Sequence, residues 1–235
     1  MSSATVSASE VALFDSLATQ WWDPNGPMRP LHRMNPTRIG WVHDRISRRF
    51  PSPAGVRVLD VGCGAGLASE ALAQLGYDVL GVDAAEQVIA AARAHAEGQG
   101  LALSYRIGVV EDLAAEGLRF PVINALEVIE HVPDPAKFVG VLADLLEPGG
   151  VLCLSTLNRT RRSFLVAKVG AEYLLRMLPV GTHEWGKFIT PVELGGMLRG
   201  AGLRVTDSAG LLPELTGGWR IGKNMAVNYL MAAAK

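Results

Sequence analysis

A glycine-rich loop between an apolar run and a helical pattern constrains the fold of this chain more than any other feature. The loop reads Asp60-Val61-Gly62-Cys63-Gly64-Ala65-Gly66, and the next apolar run ends on Asp83. Alternating glycines let the backbone approach a ligand where a side chain would collide, and a helix N-terminus follows them directly. Doubly wound folds place an acid at the end of the second strand, where it binds ribose hydroxyls. The pattern therefore predicts an adenosine-binding pocket.

Residues in and beside the loop discriminate between adenosine cofactors. A dinucleotide fingerprint needs a third small residue at position 67, which is Leu67. Asp60, at the end of the first predicted strand, would repel a pyrophosphate but could accept a cationic amino-acid group. The sequence thus favours S-adenosyl-L-methionine, with Asp60, Gly62, Gly64 and Asp83 at the cofactor. An NAD-dependent oxidoreductase is the alternative from a different class.

Composition excludes several classes of function. The chain has 235 residues, of which 49% are hydrophobic, enough for one domain with small appendages. Lys and Arg number 22 against 23 Asp and Glu, so the net charge of −1 gives no support for nucleic-acid binding. The two cysteines, Cys63 and Cys153, form no disulfide framework and indicate a reducing compartment. Without a signal-like N-terminus or a long uncharged apolar stretch, we expect a cytoplasmic protein that does not span a membrane.

Short apolar runs alternate with helical patterns from residue 56 onward, which is typical of an α/β fold with a parallel sheet and helices on both faces. The predicted strands are 56–61, 79–82, 103–107, 122–126, 151–156, 203–207 and 225–232. Helices are predicted to begin at Asp134-Pro135, with the aspartate as the cap, and at Thr190-Pro191, where Thr190 and Glu193 would form a capping box. This order predicts a Rossmann-like, seven-stranded methyltransferase sheet whose last strand is inserted antiparallel.

Two segments fall outside this alternation. Residues 1–50 are predicted to form an N-terminal helical cap, with a helix over residues 11–22, on a cofactor-binding domain that spans 51–235. Residues 157–189 are predicted to be a helical insertion after the fifth strand, with an almost entirely apolar helix over 163–178. Three interpretations stay open: the helix packs on the sheet, it covers an apolar substrate as a lid, or residues 161–180 contact a membrane surface.

A second group of chemically active side chains follows the fourth predicted strand. Glu127, Glu130 and His131 lie within five residues at the carboxyl end of that strand, where open α/β sheets build their sites. They could form an incomplete shell for a divalent metal such as Mg²⁺, leaving room for a substrate such as a catechol, whose hydroxyl the metal would ionise. Alternatively, His131 acts without a metal as the general base, or Glu130 and His131 only cap the following loop.

The chain resembles the ubiquinone biosynthesis O-methyltransferases, a family of class I S-adenosylmethionine-dependent methyltransferases. The resemblance includes the glycine loop and motifs from the cap, the fourth and fifth strands and the insertion. The motifs outside the loop are Trp21-Trp22-Asp23, the run 30–38 (PLHRMNPTR), the run 127–134 (EVIEHVPD), Ser155-Thr156-Leu157-Asn158-Arg159, the run 170–177 (GAEYLLRM), and Gly181-Thr182-His183. The cap and insertion motifs are not shared by methyltransferases in general.

The resemblance implies cofactor contacts at Arg38, Gly62, Asp83 and Leu126, with Arg38 on the methionine carboxylate. It also implies a divalent metal at Glu127, Glu130 and His131, the last two of which we expect to be catalytic.

The family's substrates are a polyprenyl catechol and demethylubiquinol, and its insertion is associated with membrane lipid. The resemblance therefore implies an enzyme at the cytoplasmic face of the inner membrane, with quinone-biosynthetic partners. The chain departs from the family at Pro121, where Asp is common, and at Leu126, where Met is common. A natural-product O-methyltransferase and a non-catalytic cofactor-binding scaffold are the alternatives.

Overall fold

Alternating strands and helices build the molecule, as the sequence predicts. The structure is a computed structural model, and it describes residues 7–164, 185–214 and 217–235. The strands are β1 (Arg57–Val61), β2 (Asp78–Asp83), β3 (Leu103–Ile107), β4 (Phe120–Leu126), β5 (Leu146–Leu157), β6 (Arg204–Pro213), β7 (Trp219–Gly222) and β8 (Asn228–Ala234). The α-helices are α1 (Ala8–Leu17), α2 (Arg29–Ser47), α3 (Leu67–Gln74), α4 (Glu86–Ala96), α5 (Val110–Ala115), α6 (Pro135–Leu145) and α7 (Pro191–Gly200). Short 3₁₀ turns occupy Ala18–Gln20, Ile129–His131 and Trp185–Lys187.

One mixed sheet organises these elements in the order β3-β2-β1-β4-β5-β8-β6-β7. The pairs among β1 to β5 are parallel, and β8 runs antiparallel between β5 and β6, which confirms the predicted insertion of the last strand. The prediction of seven strands was one short. Because β6 continues to Pro213 rather than ending near residue 207, it offers an edge to which the short β7 pairs.

Predicted helix starts are confirmed in the second half of the sheet. Asp134 caps α6, since its carboxylate accepts a hydrogen bond of 3.0 Å from the Lys137 backbone N–H. Thr190 and Glu193 form the expected capping box at the start of α7. Both helices pack on the core: Phe138 of α6 is 2% exposed, and Leu194 of α7 is fully buried.

The N-terminal cap contains more helix than the sequence analysis predicted. A helix was predicted over residues 11–22, but α1 ends at Leu17 and only a 3₁₀ turn follows. The longer α2 includes Pro36 and was not predicted as a helix. It is anchored next to the glycine loop, because the Asn35 side chain donates a 2.7 Å hydrogen bond to the carbonyl of Leu67 at the start of α3.

The predicted insertion lies mostly outside the described residues. Residues 161–164 are helical, whereas the rest of the predicted helix over 163–178 and of the predicted membrane contact over 161–180 falls in the range 165–184, which the structure does not describe. Within the described ranges, no helix combines the length and the apolar character needed to cross a bilayer.

Candidate active site

A cleft of about 400 Å³ opens at the carboxyl ends of β1, β2 and β4. The glycine loop and Asp83 line one side, and residues 126–132 line another. Helix α1 contributes apolar side chains from the cap, and so does Trp21, which follows the 3₁₀ turn after α1. All residues that the sequence analysis predicted for the site line this cleft, namely Arg38, Asp60, Gly62, Gly64, Asp83, Leu126, Glu127, Glu130 and His131.

The loop backbone requires glycine for reasons of both conformation and space. Gly62 and Gly64 have φ angles of 61° and 56°, in the left-handed region that other residues rarely adopt. A Cβ on Gly62 would lie 2.5 Å from Val128 Cγ2, and one on Gly64 would lie 2.4 Å from Trp21 Cζ2. Side chains from the cap and from the loop after β4 therefore already fill the space beside these Cα atoms.

Asp83 at the end of β2 holds the loop in place. Its two carboxylate oxygens accept hydrogen bonds from the backbone N–H groups of Gly64 (3.0 Å) and Ala85 (2.9 Å). Burial raises the pKa of Asp83, and these backbone donors oppose that effect. The carboxylate thus faces the cleft from a fixed position.

Asp60 at the end of β1 is a buried carboxylate, only 2% exposed. It accepts a 2.5 Å hydrogen bond from Ser69 Oγ and a 2.6 Å hydrogen bond from Asn124 Nδ2. Burial raises its pKa, while these two donors and the charge of Arg38 act in the opposite direction. Asp60 therefore contributes a fixed negative field to the cleft, with one donor on each carboxylate oxygen.

Arg38 projects from α2 into the cleft and is only 4% exposed. Its Nε donates a 3.0 Å hydrogen bond to Asn35 Oδ1, and no carboxylate of the described residues forms an ion pair with it. Burial lowers the pKa of Arg38 despite the attraction of Glu127 and Asp60. A buried guanidinium without a directly paired anion is costly, and the cost is relieved if a ligand supplies the anion.

The backbone turns sharply where β4 ends. Leu126 is 7% exposed, and the next residue, Glu127, has a φ of 58°, the one positive φ outside glycine among the described residues. The Glu127 carboxylate accepts a 2.5 Å hydrogen bond from Ser155 Oγ, and Asn228 Nδ2 lies 3.1 Å from each of its oxygens. Strained backbone held by neighbouring side chains is a frequent property of functional sites.

Glu130 and His131 follow in a 3₁₀ turn and have different partners. Glu130 is 4% exposed and accepts a 2.9 Å hydrogen bond from Thr156 Oγ1, and its pKa is raised well above the ordinary value by burial and then by the Glu127 charge. His131 Nδ1 lies 3.1 Å from Glu10 Oε2 of α1. The Phe14 ring meets the imidazole edge to face, with 5.4 Å between the ring centroids.

The predicted metal shell has the right donor types but not the right placement. Glu127, Glu130 and His131 are turned towards separate protein partners, as their hydrogen bonds show. In the part of the chain that the structure describes, no group of three His, Cys, Asp or Glu side chains is placed to hold a metal ion. In this arrangement the three side chains do not form a metal centre. The metal shell would require another arrangement of them, so it stays a prediction.

The residues that hold the site were missed by the sequence analysis. Asn124 is a fully buried polar residue within the apolar strand β4, a signal that could have identified it. Ser155 and Thr156 were noticed as part of a motif but had no role assigned. Glu10 and Asn228 gave no local signal, because their partners lie more than 100 residues away along the chain.

Similarity to solved structures supports the fold. The chain matches a methyltransferase from Thermotoga maritima, described as S-adenosylmethionine-dependent and as a possible histamine N-methyltransferase, with a TM-score of 0.65, 16% identity and coverage of 94% of this chain and 98% of that one. It also matches the magnesium protoporphyrin IX methyltransferase of Synechocystis with bound S-adenosylhomocysteine, with a TM-score of 0.59, 20% identity and coverage of 83% and 78%. A family model described as a methyltransferase domain matches residues 32–208. The protein is therefore an S-adenosylmethionine-dependent methyltransferase.

Curated relatives of nearly the same length define the class further. A ubiquinone biosynthesis O-methyltransferase of Azorhizobium caulinodans is 48% identical, over 97% of this chain and 93% of the relative. A protein of the same name from Cereibacter sphaeroides is 45% identical, over 99% of this chain and 98% of the relative. The chain belongs to the ubiquinone biosynthesis O-methyltransferase family, which confirms the resemblance and makes it an O-methyltransferase rather than a dehydrogenase.

Proposed function

We propose that this enzyme methylates hydroxyl groups of prenylated intermediates of ubiquinone biosynthesis, both a polyprenyl catechol and demethylubiquinol. One observation carries the proposal: the glycine loop and Asp83 share a cleft with His131 and its acidic neighbours. A bound methyl donor and an activated hydroxyl could therefore meet in one enclosed space. The name shared by the relatives supplies the substrate class.

The donor side of the cleft suits S-adenosyl-L-methionine. Asp83 would accept hydrogen bonds from the ribose hydroxyls, and the glycine loop would give backbone access to the ligand. The unpaired guanidinium of Arg38 would bind the methionine carboxylate, while the field of Asp60 favours the ammonium group. Leu126 offers an apolar contact. The cofactor, when bound, supplies a methyl group on a cationic sulfur.

The acceptor side of the cleft provides a base. We assign to His131 the removal of the proton from the substrate hydroxyl while the oxygen forms its bond to the methyl carbon and the carbon–sulfur bond breaks. The Glu10 carboxylate, 3.1 Å from Nδ1, orients the ring and stabilises the imidazolium that results. We propose that the buried Glu130, which precedes His131 in the sequence, is the second catalytic residue. No step is assigned to a metal, because the three predicted ligands are hydrogen-bonded to separate protein partners.

Positioning should provide most of the rate. Holding two reactants in a reactive geometry can supply roughly 7–11 kcal/mol of the barrier. Here the strained turn at Glu127, fixed by Ser155 and Asn228, sets the direction in which Glu130 and His131 enter the cleft. Apolar cap side chains, including Phe14, line that space and would limit the access of water to it.

The apolar character of the substrates gives the predicted insertion a role. We propose that residues 161–180 bring the enzyme to the cytoplasmic face of the inner membrane, where prenylated substrates and other quinone-biosynthetic proteins would be found. The support is the almost wholly apolar helical pattern over 163–178, flanked by Arg161 and Arg162. Co-sedimentation with anionic liposomes should fall when 161–180 are deleted, and unchanged co-sedimentation would contradict the proposal.

A methyl-transfer assay tests the function. We expect transfer from S-adenosyl-L-methionine to a polyprenyl catechol and to demethylubiquinol to exceed transfer to a short soluble catechol, whereas a natural-product enzyme would show no such preference. His131→Ala or Glu130→Ala should abolish transfer and leave the affinity for S-adenosylhomocysteine nearly intact. Full turnover of both variants would contradict the proposed site. A chelator arm tests the metal: activity lost with chelator and restored by Mg²⁺ would show that the ligands rearrange around an ion.

A further inference from the structure

The indole of Trp21 carries a hydrogen-bond donor that lies inside the cleft. Trp21 follows the 3₁₀ turn of the cap, lines the cleft and is only 6% exposed. Its Nε1 has no hydrogen-bond partner among the residues that the structure describes. An indole N–H can only donate, and a buried donor without an acceptor is unfavourable. The position is therefore suited to an acceptor atom that a ligand brings.

The place of the indole on the glycine loop indicates which part of a ligand it meets. A Cβ on Gly64 would lie 2.4 Å from Trp21 Cζ2 and 3.1 Å from Cε2, the ring carbon bonded to Nε1. The backbone N–H of the same glycine donates to Asp83 Oδ2 at 3.0 Å. The Trp21 indole and the Asp83 carboxylate thus lie beside the same loop residue, and both line the cleft.

Neighbouring contacts hold the segment that carries this indole. The carbonyl oxygen of Trp21 accepts a 2.8 Å hydrogen bond from His32 Nε2. The adjacent Trp22 donates from its Nε1 to the carbonyl of Ala65 in the loop at 3.0 Å, and its ring stacks on His95 with 3.4 Å between the centroids. The segment is held on both sides, so the donor is preorganised for a ligand.

We infer that the Trp21 indole N–H donates a hydrogen bond to a ribose oxygen of the bound nucleoside and thereby contributes to recognition of the cofactor. A ribose hydroxyl that donates its proton to Asp83 keeps lone pairs that can accept from an N–H on the other side. One sugar would then satisfy both the carboxylate and the indole. The inference rests on the proposed function, because it needs the nucleoside of S-adenosyl-L-methionine in this cleft.

The test measures binding of S-adenosylhomocysteine by calorimetry, which needs no acceptor substrate. Trp21→Phe, which keeps an aromatic ring but removes the N–H, should weaken binding by about 3- to 10-fold, the net value of one hydrogen bond. Replacement of Trp21 by 3-benzothienylalanine, which keeps the bicyclic shape and removes only the N–H, should weaken binding similarly and serves if Trp21→Phe folds poorly. Unchanged affinity in the benzothienyl protein would overturn the inference.

Trp41 offers a matched control. It is 3% exposed and its Nε1 also has no partner among the described residues, but it does not line the cleft, and the Arg45 guanidinium lies 4.2 Å from its ring centroid. Trp41→Phe should leave the affinity for S-adenosylhomocysteine unchanged. An equal loss of affinity in both Phe variants would indicate a general packing effect and contradict the assignment of Trp21.

Analogues of the ligand locate the bonded atom. Against the wild-type protein, the 2′-deoxy and 3′-deoxy forms of S-adenosylhomocysteine should both bind more weakly. Removing the ribose hydroxyl that Trp21 binds should cost less affinity in Trp21→Phe than in the wild type, because the variant no longer makes that hydrogen bond. The ribose contact would be refuted if the losses of affinity caused by Trp21→Phe and by each analogue simply added. It would also be refuted if Trp21→Phe changed only the KM of the acceptor substrate. A wild-type protein that binds no S-adenosylhomocysteine would instead refute the proposed function itself.

Discussion

Replacing Arg38 with glutamine should separate the stability of the protein from its affinity for the cofactor. The guanidinium is 4% exposed, and burial lowers its pKa in spite of nearby Glu127 and Asp60. The buried charge therefore costs folding free energy in the absence of a ligand anion. Glutamine keeps a side-chain amide that can donate to Asn35, so we expect Arg38→Gln to melt at the same temperature as the ligand-free wild type or higher.

The same variant should bind the cofactor poorly. A hydrogen bond to a charged group contributes about 1.5–3 kcal/mol, which corresponds to a dissociation constant for S-adenosylhomocysteine about 10- to 150-fold higher. Calorimetric titration gives this value, and thermal melts with and without ligand give the stability. An analogue of S-adenosylhomocysteine that lacks the homocysteine carboxylate should bind both proteins equally.

Arg45 is the control for this experiment, because its partner lies within the protein. It donates to Asp207 Oδ2 from Nε at 3.1 Å and from Nη2 at 2.6 Å, outside the cleft. The two side chains are 16% and 31% exposed, so Arg45→Gln removes a partly buried ion pair and should lower stability by about 1 kcal/mol while leaving affinity unchanged. If Arg38→Gln also lost stability and kept its affinity, Arg38 would be structural and the reasoning would be wrong.

Other perturbations should have equally specific results. Gly64→Ala should lose cofactor affinity and melt at a lower temperature than Gly98→Ala. Both glycines have a positive φ, 56° and 76°, but the space around Gly98 is open, so only Gly64→Ala introduces a clash with the Trp21 indole. Equal melting temperatures would refute the proposed close contact. Glu10→Gln should lower kcat, by less than the roughly 10²–10⁴-fold that a general base contributes, because it weakens both the orientation of His131 and the stabilisation of its imidazolium form. The affinity for S-adenosylhomocysteine should not change, and an unchanged kcat would remove Glu10 from the site. Burial raises the pKa of Asp207, but its arginine partner outweighs this effect and holds the pKa below the ordinary 3.8. A lowered pKa adds stability only while the carboxylate is ionised. In thermal melts, the wild type should therefore be more stable than Asp207→Asn above about pH 4, and this difference should vanish as the pH falls through the folded-state pKa. A constant difference down to acid pH would contradict that assignment.

The sequence was sufficient to predict the sheet and the position of the cleft because both depend on local patterns. Buried parallel strands leave short apolar runs, and the loop between β1 and α3 needs its glycines for local conformational reasons. Strand β7 was missed because its pairing depends on the length of β6, and α2 was missed because Pro36 within it usually signals a break. These two elements are defined by tertiary packing, which local propensity does not report.

The chemistry of the site was predictable in part for the same reason. Glu127, Glu130 and His131 are adjacent in sequence, so their presence in one place was evident, but the direction of each side chain was not. That direction depends on Ser155, Thr156 and Asn228 from other strands and on Glu10 from the cap. The contrast explains why a metal shell could be expected from spacing alone while the described side chains favour a histidine oriented by a carboxylate.

One measurement tests the proposed function most directly: transfer of an isotope-labelled methyl group from S-adenosyl-L-methionine to a polyprenyl catechol, with the wild type and His131→Ala assayed side by side. We predict label on a catechol oxygen with the wild type and none with His131→Ala, while both proteins bind S-adenosylhomocysteine with similar affinity. Label transferred equally by both proteins, or no transfer to the catechol by a wild type that binds the cofactor, would contradict the proposed function.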